Sequence, residues 1–418
     1  MATDFTFRDA DLRSAPLRAL NGLGHLSARA GHRLASLDAE SIVAAACKRA
    51  GSEALGSDSF REPLNRYLAA VEGEAGLTTF GRVAVRGMLV AALANRIEMH
   101  QWATSHPEIR DETIEAPWVI VGLPRTGTSL LSILLGLDPM ARTPLQWEAA
   151  SPIPPPGLGD ASLDPRIAAY QKKVDALLKL NPPFASMHPT GATLAQECVA
   201  FFMYDVRTLG LETQALVPSY GRWLETADMS PAYEQHRTAL QALQSAQPTQ
   251  RWVLKTPNHL WCLPTLLTYY PDARIIWTHR DPGPVVTSLA SLVNTLQRVF
   301  TDRRDPRPTA EEWKRKAHRA IEGGMAFDDD APRGWCVHVQ YDDLVADPVG
   351  EVKRINAFFD QDVSPLHERR MTAWMRERPQ TAGGRHVYAP EDFDWSYPEL
   401  ADEFAAYRNR YDIPHDRL

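Results

Sequence analysis

Four short runs of the chain carry apolar residues at consecutive positions: "WVIV" from Trp118, "WVLK" from Trp252 to Lys255, "RIIWT" from Arg274 to Thr278 and "WCVHV" from Trp335 to Val339. A strand with one wet face would alternate apolar and polar residues, so unbroken runs rich in β-branched and aromatic residues predict strands covered on both faces. A helical pattern follows each run, which implies βαβ units, an α/β fold and a parallel sheet with ligands at the carboxyl ends of its strands. The periodicity upstream is helical. Asp38 is placed to cap a helix ending near Gly51, and Leu64, Tyr67, Leu68 and Val71 fall at the i, i+3, i+4, i+7 spacing of a buried stripe.

The chain thus divides into a helical N-terminal extension, residues 1–115, and a main domain, residues 116–418. The extension carries no evident chemistry and reads as a cover packed on the main domain, with a homo-oligomer contact left open. "SPIPPPGLG", Ser151 to Gly159, predicts an extended loop. Residues 160–250 form a largely helical insertion suited to wall a substrate pocket.

Charge and cysteine usage narrow the setting. Lys plus Arg number 45 against 52 Asp plus Glu, and the net charge of -7 argues against a general nucleic-acid or anionic-membrane binder while permitting a local basic pocket. Cys47, Cys198, Cys262 and Cys336 lack the paired spacing of a disulfide framework or zinc module, as expected of thiols in a reducing cytoplasm. The N-terminal residues show no secretory pattern, and the apolar stretch Gly87 to Ala94 is too short to span a bilayer. A cytoplasmic protein with no integral membrane segment is expected.

Directly after "WVIV" comes "GLPRTGTSLLSILLGL", a glycine turn leading into a helix. Gly122 and Gly127 have the spacing of a phosphate-cradling loop, but Thr128 stands where a nucleoside-triphosphate enzyme keeps its lysine. Arg125 supplies a planar cationic fork inside the loop, suited to phosphate or sulfate oxygens. The loop therefore reads as an anion site unsuited to MgATP; the alternative is a plain strand-to-helix turn. A second candidate follows "RIIWT" in "HRDPGPVVTSLAS": Asp281 is a natural N-cap, Pro282 a natural first helical residue, and Ser288 lies eight residues after Arg280. Two anion sites on one sheet suit a nucleotide phosphorylated at two places.

The ordered set "VGLPRTGTSLL", "WVLKTPNHL", "PDARIIWTHRDPGPVVTSL" and "YDDLVADP" resembles the sulfotransferases that use 3′-phosphoadenosine-5′-phosphosulfate (PAPS), particularly the bacterial and mycobacterial type. That resemblance implies a P-loop-like three-layer α/β sandwich with a central parallel sheet. It also implies PAPS as co-substrate, 3′-phosphoadenosine-5′-phosphate (PAP) as product, and no metal. Arg125, Thr126, Gly127, Thr128 and Ser129 would hold the 5′-phosphosulfate, and Arg280 and Ser288 the 3′-phosphate. Tyr341 would lie against adenine, and Arg385, in "GGRHVYAPEDF", near the 3′-phosphate.

For the chemistry, Lys255 ends its strand at the position of the family's catalytic lysine and is assigned to the leaving oxygen, with Arg125 on the sulfuryl oxygens. An acceptor hydroxyl needs a base. Glu148, in "TPLQWEAASP", corresponds to the segment that supplies the glutamate base of tyrosylprotein sulfotransferases. His259 is the alternative, displaced from the position two after the lysine, where cytosolic sulfotransferases keep a histidine and this chain has Pro257. Glu197 is a third candidate for acceptor contact. Trp147, Phe184, Met187, Phe201 and Phe202 either wall a pocket for a small-molecule or lipid-like alcohol or belong to the core. A P-loop kinase and a non-catalytic nucleotide-binding protein on the same fold are the other readings.

Overall fold

The computed structural model describes residues 5–7, 15–29, 35–157, 161–181, 184–187, 189–377 and 386–415. Its centre is a sheet of five strands, β1 (Trp118–Val121), β2 (Ala141–Arg142), β3 (Arg251–Lys255), β4 (Arg274–His279) and β5 (Cys336–Gln340). They lie in the order β2-β3-β1-β4-β5, and every pairing is parallel. The register sets Trp118 of β1 opposite Val253 on one side and Arg274 on the other.

The unbroken apolar runs have a direct cause. Successive side chains of a strand point to opposite faces, and both faces are covered. Val119, Val121, Leu254, Ile275 and Trp277 enter one core, whereas Trp118, Ile120, Val253, Ile276 and Val337 enter the other. The result is a three-layer α/β sandwich. Two boundaries differ from the sequence pattern. The last strand runs from Cys336 to Gln340, one residue later than the apolar run, and β2 is a two-residue edge strand too short to leave a periodicity.

Helices around the sheet include α1 (Thr79–Ser105), α2 (Thr128–Gly136), α3 (Ser230–Ala246), α4 (Pro282–Phe300) and α5 (Arg307–Asp330). Ahead of them, Asp38 accepts a 2.8 Å hydrogen bond from the Ser41 amide at the start of helix Ala39–Ala50, which stops at Gly51 in the left-handed region, φ +67°. Leu64, Tyr67, Leu68 and Val71 are buried. They share a core with Leu89, Leu93 and Ile97 of α1 and with Val119 of the sheet. A buried pair, Arg96 Nη1 to Asp205 Oδ2 at 2.9 Å, joins α1 to the insertion. The insertion itself contains helices Pro165–Leu180 and Pro218–Leu224 as well as α3.

This topology positions the site. Chain order leaves β1 between β3 and β4, so the loop after β1, the end of β3 at Lys255 and the residue after β4, Arg280, emerge side by side at the carboxyl edge. The reversal of strand order at β1 opens the crevice where ligands of such sheets bind. Among the described residues no helix is long and apolar enough to cross a membrane, and Cys47, Cys198, Cys262 and Cys336 are all free thiols, the first and third only partly buried.

Candidate active site

The loop after β1 can be built only with glycine at two places. Gly122 has φ +135°, and a β-carbon there would meet Thr278 Oγ1 at 2.5 Å. Gly127, at φ +86°, would bring a β-carbon to 2.9 Å from Leu344 and 3.2 Å from Tyr341. Thr126 stiffens the turn by donating to the Leu123 carbonyl at 2.7 Å and sharing a 2.6 Å hydrogen bond with Thr278 Oγ1. Gly127 is the N-cap of α2 and offers no side-chain oxygen to its first turn. The amides there remain for an anion, and Thr128 and Ser129 add hydroxyls beside them.

Arg125 occupies the left-handed region at φ +72°, a conformation unusual for a residue with a side chain. Its Nε donates to Ser288 Oγ at 3.0 Å and its Nη1 to the Met187 carbonyl at 2.6 Å. Burial pushes its pKa down, against an upward pull from Tyr388. No carboxylate pairs with it among the described residues. Arg280 Nη1 donates to the Arg125 carbonyl at 3.2 Å, and its guanidinium lies 4.1 Å from the centroid of the Tyr341 ring. Asp281 caps α4 by accepting from the Gly283 amide at 3.2 Å, and Ser288, buried two turns further on, is the residue that meets Arg125. The two anion sites read separately from sequence are therefore in contact.

Arg125, Gly127, Thr128, Ser129, Arg280 and Tyr341 line a cavity of about 490 Å³. Lys255, itself buried, meets two of the lining residues: Nζ donates to Glu197 Oε1 at 2.5 Å and to Ser129 Oγ at 3.3 Å. Glu197 also lines the cavity and is held there through its neighbour, because the Cys198 amide donates to the Lys255 carbonyl at 2.9 Å.

Two of the candidate bases lie elsewhere. Glu148 is buried on helix Gln146–Ala150, its Oε1 taking Arg142 Nη2 at 2.6 Å and its Oε2 the Leu145 amide at 3.0 Å. It borders a different depression with Arg142 and Gln247. His259 is fully buried behind the cavity wall formed by Thr256, Pro257 and Asn258. Its Nδ1 meets the Tyr233 hydroxyl at 2.7 Å, and burial, reinforced by His236, holds its pKa well below the ordinary value. Of the proposed pocket aromatics, Phe184 lines the cavity, whereas Trp147, Phe201 and Phe202 are buried away from it. Met187 contributes its carbonyl. Arg385 lies outside the described residues; its neighbour His386 places Nε2 3.1 Å from Ser291 Oγ.

The family model described as "Sulfotransferase family" matches residues 117–365, which contain β1 through β5 and every cavity residue named above. The chain belongs to the sulfotransferase family. It is 26% identical over 257 residues to omega-hydroxy-beta-dihydromenaquinone-9 sulfotransferase Stf3 of Mycobacterium bovis, a match covering 58% of this chain and 63% of the relative. The chain therefore spans less than two thirds of that relative's length. Two crystal structures are similar over nearly the whole chain. Sulfotransferase STF1 from Mycobacterium tuberculosis H37Rv shares 29% identity at a TM-score of 0.80, covering 90% of this chain and 100% of its own. Sulfotransferase STF9 from Mycobacterium avium shares 28% identity at a TM-score of 0.82, covering 91% and 98%.

The sequence pattern did not reveal the far wall of the cavity, formed by Leu209, Leu289, Leu292, Val293, Leu296 and Trp313. The α4 positions were readable as a helical stripe. Nothing in the pattern indicated that the stripe faces a cavity and not a core.

Proposed function

We propose that this sulfotransferase moves a sulfuryl group from PAPS to the hydroxyl of a small-molecule or lipid-like acceptor. The observation that carries the reading is Arg125: a guanidinium sunk in the anion loop without a carboxylate partner among the described residues, touching the serine of the second anion site. A half-buried cation in that position gains a partner when an anion arrives.

The residues present fit the nucleotide. Gly122 and Gly127 let the loop close against Thr278, Leu344 and Tyr341 and so form the turn that presents the α2 amides. The first turn of α2, with Thr126, Thr128 and Ser129, would take the 5′-phosphosulfate; Arg280 and Ser288 would take the 3′-phosphate, and Tyr341 the adenine. PAPS, when bound, supplies the activated sulfuryl group and a nucleotide leaving group. Lys255 would neutralise the charge that grows on the leaving oxygen, and Arg125 the sulfuryl oxygens, in the manner of phosphoryl transfer. A kinase would need its lysine at position 128, where Thr128 stands.

Placement supports Glu197 as the base over Glu148 and His259, because it alone of the three lines the cavity. It would accept the hydroxyl proton as the acceptor oxygen attacks sulfur and the bond from sulfur to the nucleotide oxygen breaks. Lys255 orients its carboxylate. The mycobacterial relative named for a menaquinone acceptor favours an apolar alcohol here as well.

Calorimetry with PAP and with MgATP tests the reading. PAP is expected to bind without added magnesium and much more tightly than MgATP; equal or tighter binding of MgATP would overturn it.

A further inference from the structure

Past Ser288 the cavity changes character. Leu289, Leu292, Val293 and Leu296 line it at the i, i+3, i+4, i+7 spacing of one face of α4. The apolar strip therefore follows the helix for about 12 Å from Ser288 to Leu296. Opposite stands Trp313 of α5, 5% exposed, packed with Leu289 and Val293 in a cluster separate from both sheet cores.

The wall that carries Trp313 is firmly held. One turn further along α5, buried Lys316 places Nζ 3.1 Å from Glu212 Oε2 and 2.9 Å from Glu225 Oε1. Glu212 adjoins Thr213, which with Leu209 and Gly210 lines the same cavity. The stretch of α5 that carries Trp313 cannot move off α4 without disturbing these buried charge contacts, a loss of the kind proteins resist strongly.

We propose that Trp313 is a specificity-determining residue that gauges the width of the acceptor. The acceptor hydroxyl meets Glu197 and Lys255 at the polar end, and its apolar body lies in the slot between the α4 strip and the Trp313 indole. A slim body, an unbranched chain or single flat ring, fits; a bulky cage does not. The proposal rests on sulfuryl transfer to a hydroxyl as argued above.

The test compares kcat/KM with PAPS for a slim alcohol, 1-octanol, and a bulky one, 1-adamantanemethanol, alongside PAP affinity by calorimetry. The native enzyme is expected to favour 1-octanol. Trp313→Ala should shift the ratio toward the bulky alcohol by about tenfold or more, the scale on which apolar pockets discriminate by size, with PAP affinity unchanged and Trp313→Phe intermediate. If Trp313→Ala does not fold, Leu292→Trp narrows the slot from the other side and should penalise the bulky alcohol more than the slim one. An unchanged ratio with normal PAP binding, or no transfer to either alcohol, overturns the width gauge alone. Loss of PAP binding in Trp313→Ala with an unchanged ratio also overturns it, by assigning the slot to the nucleotide. Failure of the native enzyme to bind PAP removes the functional reading and the gauge together.

Discussion

Lys255 and Glu197 form a 2.5 Å ion pair whose carboxylate residue lines the cavity, and the backbone bond from the Cys198 amide to the Lys255 carbonyl fixes one partner beside the other. The lysine ends β3, a strand paired on both sides, with β2 and with β1. The glutamate comes from the insertion, residues 160–250.

Removing either partner should therefore act on turnover. Lys255→Ala is expected to lower kcat by about a hundredfold or more, the scale for losing one preorganised stabiliser of transition-state charge. Glu197→Gln should fall by a similar factor in single-turnover assays, with PAP affinity retained. Glu148→Gln should keep near-native rates once its lower stability is allowed for, because its contacts are with Arg142 and the Leu145 amide. A large loss in Glu148→Gln combined with a native rate in Glu197→Gln would return the base to Glu148.

The anion loop makes a separate prediction. Arg125→Lys should bind PAP at least tenfold more weakly than the native protein, since a point charge cannot reach Ser288 and Met187 together as the guanidinium fork does. Gly122→Ala should cost about 1–3 kcal/mol of stability from its backbone conformation alone, with further loss from the contact with Thr278. Thermal melts and calorimetry separate the two: the arginine variant should melt normally and bind poorly, and the glycine variant should fail on both counts.

The site was only partly legible in the sequence, and the division follows a physical line. Gly122, Arg125, Lys255 and Arg280 stand at strand ends or in the turn that leaves one, so the parallel topology that the apolar runs announce already brings them together. Glu148 and Glu197 both lie in the long segment between β1 and β3, where no period fixes which carboxylate turns inward. That choice is made by Arg142, which claims Glu148, and by the Cys198 to Lys255 backbone bond, which delivers Glu197. His259 shows a second limit. Its place four residues after the lysine suggested chemistry, but the short helix from Asn258 to Trp261 directs its imidazole into the core beside Tyr233 and His236.

His259 consequently has a signature in stability and not in rate. Its native pKa is pushed well below 6.5 by burial, so the folded protein keeps it neutral where the unfolded chain takes up a proton. The contribution of that neutral imidazole is fully present above the unfolded pKa and is lost as pH falls toward the native one. His259→Gln should flatten the decline in unfolding free energy between pH 7 and 5 by up to about 1.4 kcal/mol per pH unit. Denaturant titrations at several pH values read this directly. The pH profile of kcat/KM should stay unshifted, and disappearance of a limb near neutral pH would put His259 back among the catalytic groups.

The cluster behind Trp313 gives the last prediction. Glu212 is buried, and burial raises its carboxyl to about 7 although Lys316 pulls it down. Lys316→Met removes the compensating charge, leaves Glu212 to be buried alone, and should cost about 3–5 kcal/mol at neutral pH. The sign of its pH dependence follows. A carboxyl whose folded pKa exceeds its unfolded value binds its proton more tightly when folded, so stability falls as pH rises from the unfolded pKa through the folded one. Without the lysine that upper limit moves higher still, and Lys316→Met should therefore gain stability when acidified from pH 8 to 6. Adding Glu212→Gln should recover most of the loss and remove this pH dependence, because a neutral amide needs no counter-charge. Chemical denaturation of the single and double variants at the two pH values decides it. A double variant as unstable as the single one would mean that Lys316 acts through Glu225, its other partner, instead of through Glu212.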